Sequence, residues 1–308
     1  MRKQIAIPQQ NNFIVRLPQQ PAENSLRKEF LSKLATTGGK NKYKRYLGSP
    51  LRYAGGKSLA VGMITELLPR NIKTLVSPFM GGGAVEIACA KELQIEVKAF
   101  DIFDILTNYW DVQITNPQKL ANNLRKLDPT QKEYTNIKNV LKSHWDGKIK
   151  LGKHDLATCY YFNHNTGYGP HFLGSQSSVY LEEERYNKMI EKVSNFNTPK
   201  LSVKCQSFEK TIKSHPNDFI YADPPYYLGG DSKMFVGMYP HRNFPIHHKG
   251  FKHELLRDLL LNHKGGFILS YNDCPEIKEW YKDFNMSSPK WQYTFGQGDT
   301  RIGKNRIN

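Results

Sequence analysis

Apolar residues in this chain gather in short continuous runs, and segments of helical period separate them. Lys73-Thr74-Leu75-Val76-Ser77 reads as a short buried strand, and Ile95 to Phe100 as a second strand ending in Asp101. Leu201 to Cys205, Phe219-Ile220-Tyr221-Ala222 and Gly266 to Tyr271 continue the series. Runs this short, bounded by turn formers, are what strands covered on both faces look like. Between them the pattern predicts helices over Lys57 to Leu68, stopped by Pro69, over Ala84 to Leu93 and over Lys252 to Asn262. A further helix, Ser25 to Leu34 with Asn24 as its cap, stands apart near the start. The order strand, glycine turn, helix, strand, Asp predicts an α/β fold: a doubly wound parallel sheet with helices on both faces.

Four segments follow from changes along this pattern. Residues 1–46 read as a basic extension rich in Gln, Asn and Pro, with a linker at Thr36 to Arg45. Residues 47–111 form the first part of the sheet and residues 200–308 the second. The polar stretch 112–199 reads as a mostly helical insertion. Within it, Asn163 to Phe172 mixes turn formers with aromatics and predicts an exposed hairpin or loop bearing functional side chains.

Charge changes the picture more than composition does. The 44 Lys and Arg exceed the 28 Asp and Glu by 16, a field that attracts polyanions. Residues 1–50 alone carry a net charge of +8. No stretch reaches 18 consecutive apolar residues, so no membrane span is expected. Met1 to Ile5 lacks the apolar core of a secretory signal. Cys89, Cys159, Cys205 and Cys274 lie far apart with no C-x-x-C pair, which argues against a zinc ribbon or a disulfide scaffold. A reducing compartment, the cytoplasm, is the expectation. His241, His247, His248 and His253 cluster without a metal-binding pattern, and no metal is expected.

Three places carry chemistry. Pro78-Phe79-Met80-Gly81-Gly82-Gly83 follows a strand and opens a helix, so its backbone N–H groups can approach a ligand. Asp101 ends the next strand, where a carboxylate accepts bonds from ribose hydroxyls. Glu86 stands where a dinucleotide fingerprint needs its third glycine, so an adenosine-type ligand without pyrophosphate is preferred. Gly55-Gly56-Lys57-Ser58 is not a phosphate loop, because Leu51 occupies the position of its first glycine. The sharpest signal is Asp223-Pro224-Pro225-Tyr226, directly after the strand Phe219 to Ala222. Its prolines lack donors and leave carbonyl oxygens as acceptors beside a carboxylate. Such a pair suits an exocyclic amine, with Tyr226 offering a face for a planar base.

Leu51-Arg52-Tyr53-Ala54-Gly55-Gly56-Lys57, Ser77 to Gly83 and Asp223-Pro224-Pro225-Tyr226, in that order, resemble the Dam-like (alpha-group) adenine-specific DNA methyltransferases. The resemblance covers roughly residues 47 to 295 and implies a Rossmann-like class I methyltransferase sheet with an inserted target-recognition domain. It implies S-adenosyl-L-methionine as cofactor and transfer of its methyl group to the 6-amino group of a flipped adenine in double-stranded DNA. Cofactor roles fall by resemblance on Tyr53, Lys57, Pro78, Phe79, Gly81, Gly83, Asp101, Phe208 and Asp223, and catalytic roles on Asp223, Pro224, Pro225 and Tyr226. Ser77 departs from the family, which commonly has an acidic residue just before Pro-Phe. In the insertion, Asn163, Asn165, Tyr168, His171 and Phe172 are expected at base edges, and Lys42, Lys44 and Arg45 of the linker at phosphates. The strand Phe267 to Asn272 is expected to line the target pocket. The resemblance also fits a modification enzyme paired with a separately acting restriction endonuclease. Cytosine's 4-amino group, or a silent DNA-binding module of the same fold, are the alternatives.

Overall fold

A computed structural model describes residues 11–16, 25–37, 41–169, 171–227 and 250–287 of the chain. Strand β1 (Asn11–Arg16) and helix α1 (Ser25–Leu34) precede α2 (Val61–Leu67), β2 (Thr74–Ser77) and α3 (Ala84–Lys91). After β3 (Glu96–Asp101) come α4 (Asp104–Thr115), α5 (Pro117–Leu124), α6 (Gln131–Trp145), α7 (Lys153–Thr166) and α8 (Glu183–Ser194). The sheet resumes with β4 (Leu201–Cys205), α9 (Phe208–Ser214) and β5 (Phe219–Ala222). It ends in α10 (His253–Leu261), β6 (Phe267–Asn272), α11 (Pro275–Trp280) and β7 (Asn285–Ser287).

The described strands form one sheet in the order β4-β3-β2-β5-β6-β1-β7. From β2 the chain steps outward through β3 to β4, then returns to the other side of β2 with β5. Strands β2 and β5 pair in parallel, Val76 opposite Ile220, and between them the winding direction reverses. In an open α/β sheet a ligand crevice forms at the carboxyl ends of strands at such a switch point. The glycine turn leaves β2 there, and Asp223 leaves β5 beside it.

Side chains alternate across the sheet, and both alternating sets are buried. Phe13, Val15, Leu75, Val97, Phe219, Tyr221 and Ile268 point to the face covered by α1 through α8. Ile14, Val76, Phe100, Ile220, Ala222, Phe267 and Leu269 point to the other, with Ile212, Leu256, Leu260 and Ile277 from α9, α10 and α11. Burial on two faces explains why β5 and β6 read as unbroken apolar runs. Among the described residues no helix is long and apolar enough to cross a membrane.

Several expectations change. Asn11–Arg16, read as part of an extension, is a sheet strand: β1 runs antiparallel between β6 and β7, with Ile14 opposite Leu269 on one side and Met286 on the other. Its Phe13, Ile14 and Val15 are buried to 4% exposure or less, so the segment belongs to the core. Lys57 to Ala60 are a turn rather than the first turn of α2, because Lys57 is drawn to a partner on β5's end. Helix α3 stops at Lys91 instead of Leu93, before Gln94 takes a left-handed φ of 56°. The boundary expected at 111/112 falls inside α4. The buried side chains of α5 to α8, including Leu124, Ile137, Tyr161 and Ile190, join the core of that sheet face rather than closing a separate one.

Candidate functional site

The turn after β2 is shaped by its glycines. Gly81 (φ +44°) and Gly83 (φ +66°) hold left-handed backbone that side chains disfavour, and Gly83 is the N-cap of α3. A Cβ on Gly81 would lie 3.0 Å from the Tyr53 ring. Asp101, at the end of the neighbouring β3, ties this turn in place: Gly81 N–H donates to its Oδ2 and Phe103 N–H to its Oδ1, each at 3.0 Å. Burial raises the Asp101 pKa, and these backbone donors oppose the shift. Each carboxylate oxygen keeps a lone pair for another donor. Trp110 Nε1 donates to the Gly81 carbonyl at 2.9 Å and fixes the turn from behind.

Phe79 of this turn meets two further phenylalanines, Phe208 and Phe251. Phe79 stacks on Phe208 with ring centroids 5.7 Å apart, and Phe251 meets both, at 5.7 Å and 5.0 Å. Together with the turn they bound a cavity of about 380 Å³. Tyr53, Lys57, Pro78, Phe79, Gly81, Gly83, Asp101, Phe208, Asp223, Pro224, Pro225 and Tyr226 all line it. Thus the structure gathers into one cavity every residue expected at cofactor or catalysis.

Lys57, inside the same cavity, also makes an ion pair that the sequence does not disclose. Its ammonium sits 2.5 Å from Asp223 Oδ1 and 2.6 Å from Oδ2, donates to the Gly55 carbonyl at 3.1 Å, and lies 5.2 Å from the Tyr226 ring centroid. Both partners are shielded, the side chains being 3% and 20% exposed. Burial pushes the Asp223 pKa up, and the Lys57 charge pulls against it. The Lys57 charge thus favours the carboxylate form, in which both oxygens are acceptors. Nearby, the buried Glu86 has its pKa pushed up to about 8 by desolvation, and Ser77 Oγ donates to its Oε1 at 2.6 Å. Ser77, the departure from the family pattern, serves that neutral acid.

The residues expected at DNA are dispersed, and several are corrected. Asn163 and Asn165 lie on the last turn of α7, 1% exposed, not on a loop. Asn163 Oδ1 accepts from Leu173 N–H at 3.1 Å, and Asn165 bonds Arg52 and Pro50, so neither amide reaches a base edge. Phe172 packs on Phe103 and Trp145 at 5.3 Å and 5.1 Å. His171 is half-buried. Tyr168, by contrast, is 77% exposed, on a narrow hairpin bridged at Gly167 and Gln176. Lys42 pairs with Glu66 at 2.5 Å, Arg45 donates to Ser58 Oγ at 3.0 Å, and the side chain of Lys44 is exposed. Among the described residues β6 adds no side chain to the cavity; Asn272 instead donates to the Tyr227 carbonyl at 2.7 Å and anchors the turn's exit. His253 Nδ1 lies 2.6 Å from the Tyr271 hydroxyl, while His241, His247 and His248 lie outside the described residues. No group of three or more metal-ligating side chains occurs among the described residues.

Sequence reasoning missed Phe251, which carries no motif and is placed only by the return of the chain into α10. It passed over Glu86 as a site residue, although a lone acid in the apolar helix Ala84–Lys91 was a visible signal.

The family model for D12 class N6 adenine-specific DNA methyltransferases matches residues 53–295. The type II methyltransferase M1.LlaDCHI of Lactococcus lactis subsp. cremoris is 27% identical over 271 residues, 82% of this chain and 91% of that protein. The type II methyltransferase M.FokI of Planomicrobium okeanokoites is 26% identical over 87% of this chain and 43% of its own length. The modification methylase StsI of Streptococcus sanguinis is 28% identical over 60% of this chain and 29% of its own. The chain thus spans less than half of the last two.

Proposed function

Because the chain belongs to the D12 class N6 adenine-specific DNA methyltransferases, we propose that it methylates the 6-amino group of adenine in a specific double-stranded DNA sequence, with S-adenosyl-L-methionine as donor. One observation carries the reading: the Asp223-Pro224-Pro225-Tyr226 turn and the glycine turn share one cavity at the switch point between β2 and β5. The cavity suits that donor. The glycine turn offers backbone at a place that a Cβ on Gly81 would crowd, and Asp101 retains acceptor capacity for hydroxyls. Phe79, Phe208 and Phe251 offer a ring face to a purine. When bound, S-adenosyl-L-methionine supplies an electrophilic methyl group.

An adenine inside a duplex is out of reach, so the base flips into the cavity. Its amine is a poor nucleophile because the lone pair is delocalised into the ring. Asp223 accepts one amine hydrogen and the Pro224 carbonyl the other, which aims the lone pair and stabilises positive charge developing on nitrogen. Lys57 leaves lone pairs on both Asp223 oxygens while favouring its ionised form. Tyr226 stacks on the base. Most of the acceleration comes from holding the amine in line. The exposed Tyr168 ring is free of the core and meets the duplex. The relatives' names, type II methyltransferase and modification methylase, support a modification role.

Asp223→Asn should abolish tritium transfer from labelled donor to DNA while calorimetry shows the donor still bound. Methylation-aware sequencing of DNA from cells expressing the chain should reveal N6-methyladenine in one sequence context. Unmodified DNA, or near-normal transfer by Asp223→Asn, overturns the proposal.

A further inference from the structure

The segment 49–57 touches three distant parts of the molecule. Ser49 Oγ donates to the Gly82 carbonyl at 2.7 Å, at the glycine turn. Lys57, at its other end, holds Asp223. Its middle is fastened to the carboxyl end of α7, from which the Tyr168 hairpin emerges. Arg52 Nη1 donates to the Asn165 and Gly167 carbonyls at 2.8 Å and 3.1 Å, and Arg52 N–H donates to Asn165 Oδ1 at 3.0 Å. Asn165 Nδ2 returns a bond to the Pro50 carbonyl at 3.0 Å.

Helix α7 needs this. Its C-cap Gly167 is extended (φ −70°, ψ 158°), not left-handed, so no αL cap satisfies the last carbonyls. Arg52 supplies donors from 113 residues away, with a positive charge at the negative end of the helix dipole. One residue on, Tyr53 stacks on His164 of the same helix, with centroids 5.9 Å apart, and its ring also lies against Gly81 and Gly82. Beyond the clamp the far strand of the hairpin has its own ties. Tyr134 Oη and Lys138 Nζ both donate to the Gly174 carbonyl, and Tyr168 N–H to Ser175 O at 2.7 Å.

We infer that Arg52 is a positioning residue for methyl transfer, setting the hairpin that presents Tyr168 at a fixed distance from Lys57 and Asp223. The inference rests on the function proposed above and adds a residue that touches neither donor nor base. A displacement of about 1 Å in a reacting constellation costs on the order of a hundredfold in rate, so loosening this clamp acts on the chemical step more than on binding.

The test uses the full chain as Arg52→Gln and Arg52→Lys. Single-turnover transfer to duplex DNA, with donor and DNA both saturating, should fall roughly 10- to 100-fold in Arg52→Gln. Arg52→Lys, which keeps a cation at the helix end but a single donor centre, should recover part of that loss. Hydrogen exchange should quicken in Arg52→Gln at residues 50–57 and 167–176 together. A rate within about twofold of the parent, or exchange rising in one segment alone, overturns the inference. Should Arg52→Gln fail to fold, Arg52→Lys is read alone: an intermediate rate supports the clamp and a parental rate overturns it. If the parent chain methylates no adenine, the functional reading falls, while the exchange result still decides the clamp.

Discussion

Replacing Lys57 with methionine isolates the role of its charge. The side chain is 3% exposed and its ammonium lies 2.5 Å from a carboxylate that is 20% exposed, so methionine fills similar volume but strands Asp223. Removing one partner of a buried pair typically costs about 3–5 kcal/mol, because the remaining charge is uncompensated. Asp223 answers by holding a proton, since burial already pushes its pKa upward and Lys57, with a smaller contribution from Ser270, opposes this. A protonated Asp223 no longer accepts both lone-pair partners as a carboxylate. If half of that cost falls on the ionised form used in transfer, the rate at neutral pH drops roughly 10- to 100-fold. The sign fixes the pH dependence. The acid form is inactive, so the loss in Lys57→Met is deepest at low pH and recovers as pH rises. Single-turnover tritium transfer between about pH 6 and pH 9 measures this, with Lys57→Arg as the charge-preserving control. A pH-independent loss, or equal loss in Lys57→Arg and Lys57→Met, refutes the reasoning and leaves Lys57 a donor-binding residue.

Other outcomes follow from the same geometry. Ile14→Ala, in β1, should cost about 2–5 kcal/mol in denaturant unfolding, and deletion of residues 1–16 should prevent folding. Glu86 has its folded pKa raised to about 8 from 4.5, so its contribution to stability is full below pH 4.5 and is lost as pH rises through about 8. Urea unfolding of Glu86→Gln at matched pH should therefore show that slope flattened. Tyr168→Ala should leave the melting temperature unchanged but weaken duplex binding by about 1–3 kcal/mol if the exposed ring stacks on a base. Phe172→Ala, inside the cluster of Phe103, Trp145 and Tyr160, should instead lower stability by about 2–4 kcal/mol.

What the sequence made legible were features written locally. The runs Phe219–Ala222 and Phe267–Asn272 are buried on two faces and read as strands without any knowledge of their neighbours. The glycine turn, Asp101 and the Asp223 turn announce themselves by residue type at strand ends. What stayed hidden depends on long-range pairing. Asn12-Phe13-Ile14-Val15 holds three apolar residues amid glutamine and asparagine, and only β6 and β7 make it a strand. Asn163 and Asn165 look like base readers because free amides match adenine; helix α7 turns them inward to serve Leu173, Pro50 and Arg52. Lys57 sits in a glycine-rich loop, and nothing local discloses a partner 166 residues away.

The placement of β1 has a consequence for how the polypeptide acquires its shape. Ile14 waits for Leu269, a partner synthesised more than 250 residues later, and for Met286 beyond it. Until those arrive, an apolar triplet travels unsheltered, and β6 in turn exposes a bare, sticky edge until the triplet docks. Closing so long a chain segment is slow, and the interval favours pairing with a second copy. Assembly of this border is thus the step most open to capture by a chaperone, and the one at which overproduction will first produce aggregates.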